Sequence, residues 1–126
     1  MNPLLDDVRA FLITQGVVPS GFGIYSGYIP DDGDHMIALF ETGGYPADTL
    51  NRENERLTFQ TRVRAGRLEY PVCRTAWKAI FDVLQDSTIG TGYYLIQALH
   101  YGPMVFNDDR GRTNMTSNWR VMRARS

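Results

Sequence analysis

Leu57-Thr58-Phe59-Gln60-Thr61-Arg62-Val63-Arg64-Ala65 is the stretch whose pattern decides the fold. Apolar and polar residues alternate along it, and a period of two marks a strand buried on one face. Leu57, Phe59 and Val63 fall on the inner side, whereas Gln60, Arg62 and Arg64 fall on the outer side. The spacing predicts a half-buried strand with a basic outer face. Such a strand needs strand neighbours and an apolar cover, so the flanking segments are read for both.

Downstream, residues 69–86 place Val72, Ala76, Ile80, Phe81 and Leu84 at helical spacing, with Pro71 near the start and Trp77 enlarging the same stripe. Near the N-terminus, residues 2–15 predict another helix: Asn2 can cap it, Pro3 suits its first position, and Asp6 and Asp7 favour the positive end of its dipole. Leu4, Leu5, Val8, Phe11 and Leu12 form its apolar face, Gly16 allows it to stop, and Pro19 prevents it from resuming.

Between these helices, residues 23–29 and 35–41 read as two strands joined by the polar turn from Pro30 to Asp34. Met36 to Phe40 is apolar on both faces, as an inner strand is. Residues 42–56 have glycines, Pro46 and scattered charges without an apolar period, and read as a long loop. After the second helix, Gly90 to Gly92 break the chain, and strands are expected at Tyr93–Tyr101, Met104–Asn107 and Ser117–Arg125, the last preceded by the turn Asp108-Asp109-Arg110-Gly111-Arg112. The expected architecture is one α+β domain over residues 1–126, in the order αβββαβββ: an antiparallel or mixed β-sheet of five to six strands, joined largely by hairpins, with two helices packed on one face. An uncovered sheet face and open strand edges make self-association the natural expectation.

Whole-chain properties narrow the function. With 126 residues, 43% hydrophobic and 21% charged, and no long apolar run, the chain reads as a soluble globular domain without a membrane partner. The segment Met1 to Asp7 has neither the basic nor the apolar region of a secretory signal. Cys73 is the only cysteine, so an internal disulfide and a multi-thiolate zinc site are excluded. Residues 1–50 carry about −6 and residues 51–126 about +5, a division that offers unlike patches for contacts. Twelve of the thirteen basic residues are Arg, a bias suited to planar, multi-donor contacts with carboxylates.

A search for chemistry yields no catalytic constellation. Cys73 shares the helical stripe of Ala76, Trp77 and Ile80, where a small buried thiol is inert. Asp31-Asp32-Gly33-Asp34 fails as a calcium loop, because Met36 and Thr42 stand where Gly and Glu are needed. Gly21, Gly23 and Gly27 open a strand and are followed by no helix N-terminus that could receive a phosphate. Arg110, Arg112, Arg120, Arg123 and Arg125 make a local basic patch, but a pI near 6.1 and the lack of a recognition motif argue against sequence-specific nucleic-acid binding. The remaining catalytic alternative is a small ligand-binding or hydrolytic domain using His35 or His100 in an apolar pocket, with no paired base and nucleophile to support it.

Taken in order, several segments resemble the tail terminator or minor capsid proteins of siphophages. They are the helix ending Phe11-Leu12-Ile13-Thr14-Gln15-Gly16, the strand Met36–Phe40 followed by Glu41-Thr42-Gly43-Gly44, and the strand Phe59–Arg64. The amphipathic second helix follows, then the turn Asp108–Arg112 and the final Asn118-Trp119-Arg120-Val121. The resemblance implies a structural virion subunit that needs no cofactor or metal and is assembled in the host cytoplasm. It would close into a homo-oligomeric, typically hexameric, ring at the head-proximal end of the tail, stop elongation of the tail tube and provide the surface on which the head docks. Its implied partners are the tail tube protein and a head-to-tail connector protein, with genomic DNA passing through the lumen without sequence-specific binding. The alternative within the same class is a head-closure or head-to-tail connector ring protein. The residues expected at subunit or tube contacts are Arg62 and Arg64 on the strand, Arg110 and Arg112 at the turn, and Arg120 and Arg123 on the last strand. Charge reversal at Arg62 together with Arg64 is expected to impair ring formation more than folding.

Overall fold

The computed structural model describes residues 3–44 and 54–124. Helix α1 (Leu4–Thr14) leads into β1 (Gly23–Ser26), β2 (Met36–Glu41) and β3 (Asn54–Arg67). Helix α2 (Tyr70–Leu84) is followed by β4 (Gln97–Ala98), β5 (Met104–Asn107) and β6 (Arg112–Ala124). The strands form a mixed sheet in the order β1-β2-β3-β6-β4, with β5 also on β6. The class is therefore α+β, in the expected element order.

Helix α1 begins one residue later than the sequence suggests, with Pro3 just outside it, while the proposed cap Asn2 lies outside the described residues. Its end follows from Gly16, whose φ of 69° is open to glycine. That turn lets the amides of Gly16 and Val17 bond the carbonyls of Ile13 and Leu12, which the helix would otherwise leave unpaired. Helix α2 starts behind Glu69, whose Oε1 accepts from the Gly66 amide at 2.7 Å and sits 2.9 Å from His35 Nε2.

Both helices cover one face of the sheet. Leu4, Val8 and Leu12 of α1 share a core with Cys73, Ala76, Trp77, Ile80 and Leu84 of α2. Ile37, Leu39, Phe59, Val63, Met115, Trp119 and Val121 close it from the sheet side. Fully burying one of these larger side chains contributes about 1.5–3 kcal/mol. The two indoles bury their N–H groups against hydroxyls: Trp77 Nε1 donates to Ser117 Oγ at 2.6 Å, and Trp119 Nε1 donates to Thr61 Oγ1 at 3.0 Å. Threonine and serine on the inner face of the central strands are thus partners and not packing faults.

Four expectations need correction. First, β1 and β2 are parallel, with Gly23 opposite Met36, and not a hairpin pair. The connection from Gly27 to His35 must return to the starting end of β1, and arginine side chains described below hold it there. Second, β3 begins at Asn54, inside the stretch read as loop, because Asn54 to Arg64 pair continuously with Ala124 to Asn114. Third, β6 starts at Arg112 and not at Ser117, since Thr113, Asn114, Met115 and Thr116 each face a residue of β5. Fourth, the strand expected over Tyr93–Tyr101 survives only as a bridge at Tyr93 and the short β4. Irregular hydrogen bonds, such as Tyr94 N to Met122 O, keep the remainder beside β6.

Candidate assembly surface

The sheet face away from the helices is built by the alternate residues of β3 and β6. Gln60 Nε2 donates to Asn118 Oδ1 at 3.1 Å, and Arg62 Nε donates to Asn114 Oδ1 at 2.9 Å. The Arg62 guanidinium also lies over the Phe106 ring, 4.9 Å from its centre. At the far end, Arg120 donates through Nε and Nη2 to Gln97 Oε1 at 3.1 and 2.7 Å. Amides and guanidinium groups pair across the strands, so this face is ordered without being greasy. Arg62 is half-buried there, and burial pulls its pKa down, with Asp108 opposing and Arg112 adding to the effect.

Two residues further along the same strand, Arg64 has a different fate. The sequence placed it outward beside Arg62, but the loop after β1 folds over it and leaves it 1% exposed. Its Nη2 donates to the carbonyls of Pro30 at 2.9 Å and Gly33 at 2.8 Å, and its Nε donates to that of Asp34 at 3.1 Å. Burial, followed by the nearby Arg112 charge, lowers its pKa. Arg112 is likewise buried: its Nε donates to Asp108 Oδ2 at 2.8 Å and its Nη1 to the Asp31 carbonyl at 3.3 Å. Arginines beneath the loop therefore fix its backbone, while Asp31 and Asp32 are exposed.

Asp108 organises the turn between β5 and β6. Its Oδ1 accepts from the amides of Arg110 and Arg112, both at 3.0 Å. Burial alone would raise its pKa, but these bonds and the Arg112 guanidinium outweigh that and hold it below the ordinary carboxylate range. Gly111, at φ 75°, closes the tip. Arg123 also turns inward: Nε donates to Glu55 Oε2 at 2.8 Å and Nη1 to the Tyr93 hydroxyl at 3.1 Å. Tyr93 in turn donates to Asp7 Oδ2 at 2.6 Å, tying α1 to the far edge of the sheet. Of the six arginines expected at contacts, Arg62, Arg110 and Arg120 reach the surface, whereas Arg64, Arg112 and Arg123 hold the subunit together.

Sequence reasoning missed an apolar strip along the β4 and β5 edge. Tyr94, Leu95, Leu99, Tyr101, Met104 and Phe106 are all exposed there, Tyr101 to 90%. The signal was present as a dense apolar run. Read as a regular strand, however, it would bury every second residue, and the actual broken edge cannot. Contiguous exposed apolar surface is, as a general rule, where proteins meet partners. Beyond β1, and beyond β4 and β5, no further strand pairs among the described residues, so both sheet edges are open.

The residues weighed for chemistry are dispersed. Cys73 is fully buried, its Sγ 3.4 Å from the Val63 carbonyl, and burial pushes its thiol up to about 11. His35 packs on Phe22 and pairs with Glu69, whereas His100 lines an open groove with Gln85, Leu99 and Arg120. Among the described residues, the two histidines have no hydrogen-bond partner in common. Among the described residues, no cluster of His, Cys, Asp or Glu is arranged to hold a metal ion, and no helix is long and apolar enough to cross a membrane.

Comparisons with known proteins agree with this picture. A family model described as "Bacteriophage tail terminator protein" matches residues 11–119. No curated protein matches the chain. Among solved structures, a chain from the "Virion of native gene transfer agent (GTA) particle" superposes with a TM-score of 0.67 at 14% identity, covering 96% of this chain and 91% of that one. At that identity the likeness speaks for the fold. The family match extends from the last turn of α1 into β6, and the chain belongs to the bacteriophage tail terminator family: it is a structural tail protein of the virion, not an enzyme.

Proposed function

We propose that this subunit closes into a homo-oligomeric ring, hexameric as in the resemblance above, at the head-proximal end of the tail. There it stops elongation of the tube and offers the surface on which the head docks. The observation that carries this reading is that the sheet is left unfinished in one copy. Among the described residues no strand pairs beyond β1 or beyond β4 and β5, and the latter edge is lined by exposed apolar residues from Tyr94 to Phe106. A sheet with two different open edges makes unlike patches, and contacts between unlike patches generate rings when the rotation closes. The ring's neighbours are the tail tube protein on one side and the head-to-tail connector on the other, with genomic DNA passing through the lumen. Assembly takes place in the host cytoplasm.

Arg62, Arg110 and Arg120 are the arginines placed to meet a neighbour or the tube. Arg64, Arg112 and Arg123 enter the proposal through the segments they hold. Electron microscopy of negatively stained protein, alone and with purified tail tubes, is the direct test. Rings that cap tube ends and block further growth are expected. Protein that remains monomeric with and without tube subunits would refute the proposal, and rings that bind the portal while tubes keep growing would reassign it to a connector.

A further inference from the structure

Resting on the ring reading above, we infer that β5 of one subunit pairs edge to edge with β1 of the next, so that the sheet runs on from copy to copy. Both strands have backbone groups to offer. The Asp108 amide bonds the Arg112 carbonyl at 3.1 Å, and antiparallel pairs alternate between bonded and unbonded positions. Met104 and Phe106 therefore turn their amides and carbonyls toward β6, while Val105 and Asn107 turn theirs outward. On β1 the Gly27 amide bonds the Leu39 carbonyl at 2.7 Å, which commits Gly23 and Tyr25 to β2 and leaves Ile24 and Ser26 facing out. The exposed Arg9 Nε reaches the Ile24 carbonyl at 3.4 Å, a long contact that an incoming amide would displace.

Neither strand is guarded. Gly23-Ile24-Tyr25-Ser26 and Met104-Val105-Phe106-Asn107 contain no charged residue, and all four positions of β5 are exposed. Edges that stay in water are ordinarily blunted by charges, bulges or a covering segment.

Direction and height single out a second copy of this chain as the occupant. β1 runs with β2 and against β3, whereas β5 runs against β6 and so with β3; the two edges therefore point in opposite directions. Ile24, Ile37, Val63, Met115 and Val105 stand opposite one another in turn across the sheet, so both edges also lie at one height. Subunits related by rotation about a ring axis present unlike edges to each other. Ile24 of one copy then meets Val105 of the next in an antiparallel pair, and the apolar row continues past Val105, which is 47% exposed in one copy. On the face away from the helices the same register sets Tyr25 beside Met104, since both share the row of Arg62. Pro103, which has no amide hydrogen, falls opposite Ser26 and ends the ladder there.

Cysteine coupling tests the pairing, because Tyr25 and Met104 would form a non-hydrogen-bonded pair, where side chains come closest. Tyr25→Cys, Met104→Cys and the double variant are assembled and oxidised, with the buried Cys73 left in place. The double variant is expected to give a ladder of covalent multimers, an equal mixture of the single variants covalent dimers, and each single variant alone only monomer. Val105→Pro removes an outward amide and leaves the bonds to β6 intact; it is expected to melt as wild type does but to lose rings by about tenfold or more at fixed concentration. Wild-type rings together with a double variant that yields no covalent multimers, single variants that couple to themselves or to the tube protein, or a Val105→Pro variant that assembles normally would each overturn the inference alone. Wild-type protein that never forms rings would overturn the ring reading and the inference with it.

Discussion

Replacing Arg64 by alanine is expected to destabilise the subunit far more than the same change at Arg62, although the two are alternate residues of one strand. Arg64 makes three hydrogen bonds to carbonyl oxygens, at 2.8 to 3.1 Å. Bonds from a charged donor contribute about 1.5–3 kcal/mol each, so the gross loss is about 5–9 kcal/mol. Two effects reduce it: the carbonyls belong to an exposed loop that water can reach, and removing the guanidinium recovers the cost of burying its charge. A net loss of about 2–4 kcal/mol follows. Arg62 makes one side-chain bond to Asn114 and one ring contact with Phe106, and it remains half-exposed. Its loss should cost about 1 kcal/mol. Urea denaturation reads the difference directly, because at a slope of about 2 kcal/mol per molar the Arg64 variant should unfold about 1–2 M earlier than wild type. Hydrogen exchange should show the amides of residues 27–35 exchanging faster in that variant. Equal midpoints for the two alanine variants, within about 0.3 M, would show that the loop is not clamped by Arg64.

Ser117→Ala removes the acceptor of the Trp77 indole and leaves a buried N–H unpaired; calorimetry should show a loss of about 1–3 kcal/mol. Asp108 is depressed in the folded state, so its stabilising contribution is present above the unfolded carboxylate pKa and fades as pH falls through its folded value. Asp108→Asn should flatten the acid limb of a stability-against-pH curve, and an unchanged limb would contradict the role given to the turn. Tyr93 behaves in the opposite sense, since burial and the Asp7 carboxylate push its phenol up to about 12. Its contribution is intact below the unfolded value near 10 and declines by about 2–3 kcal/mol as pH rises toward the folded one. Tyr93→Phe should remove that alkaline slope. Arg62→Glu with Arg110→Glu should still fold, with a stability loss of about 1–2 kcal/mol from the Asn114 and Phe106 contacts of Arg62, while reducing ring formation, read by sedimentation at a temperature where the variant is folded; unchanged rings would exclude these two residues from the contact.

Much of this architecture follows from local pattern. The alternation from Leu57 to Ala65 and the apolar stripes of α1 and α2 have periods that only one backbone geometry can satisfy, and the turn at Asp108–Arg112 has the residues its dihedrals demand. The α+β class and the element order could be read from the chain by itself. The fate of individual arginines could not. Period two assigns Arg62 and Arg64 to the same face, but whether a guanidinium meets water or a carbonyl depends on which distant loop crosses above it. That loop is held by residues more than thirty positions away along the chain. The parallel pairing of β1 with β2 has the same origin, since a connection can be recognised as polar from its sequence while its direction of travel is set by what captures it. The broken edge from Tyr93 to Phe106 also required tertiary structure. Its apolar run satisfies strand propensity, yet only the packed molecule shows that, among the described residues, many of those side chains stay exposed.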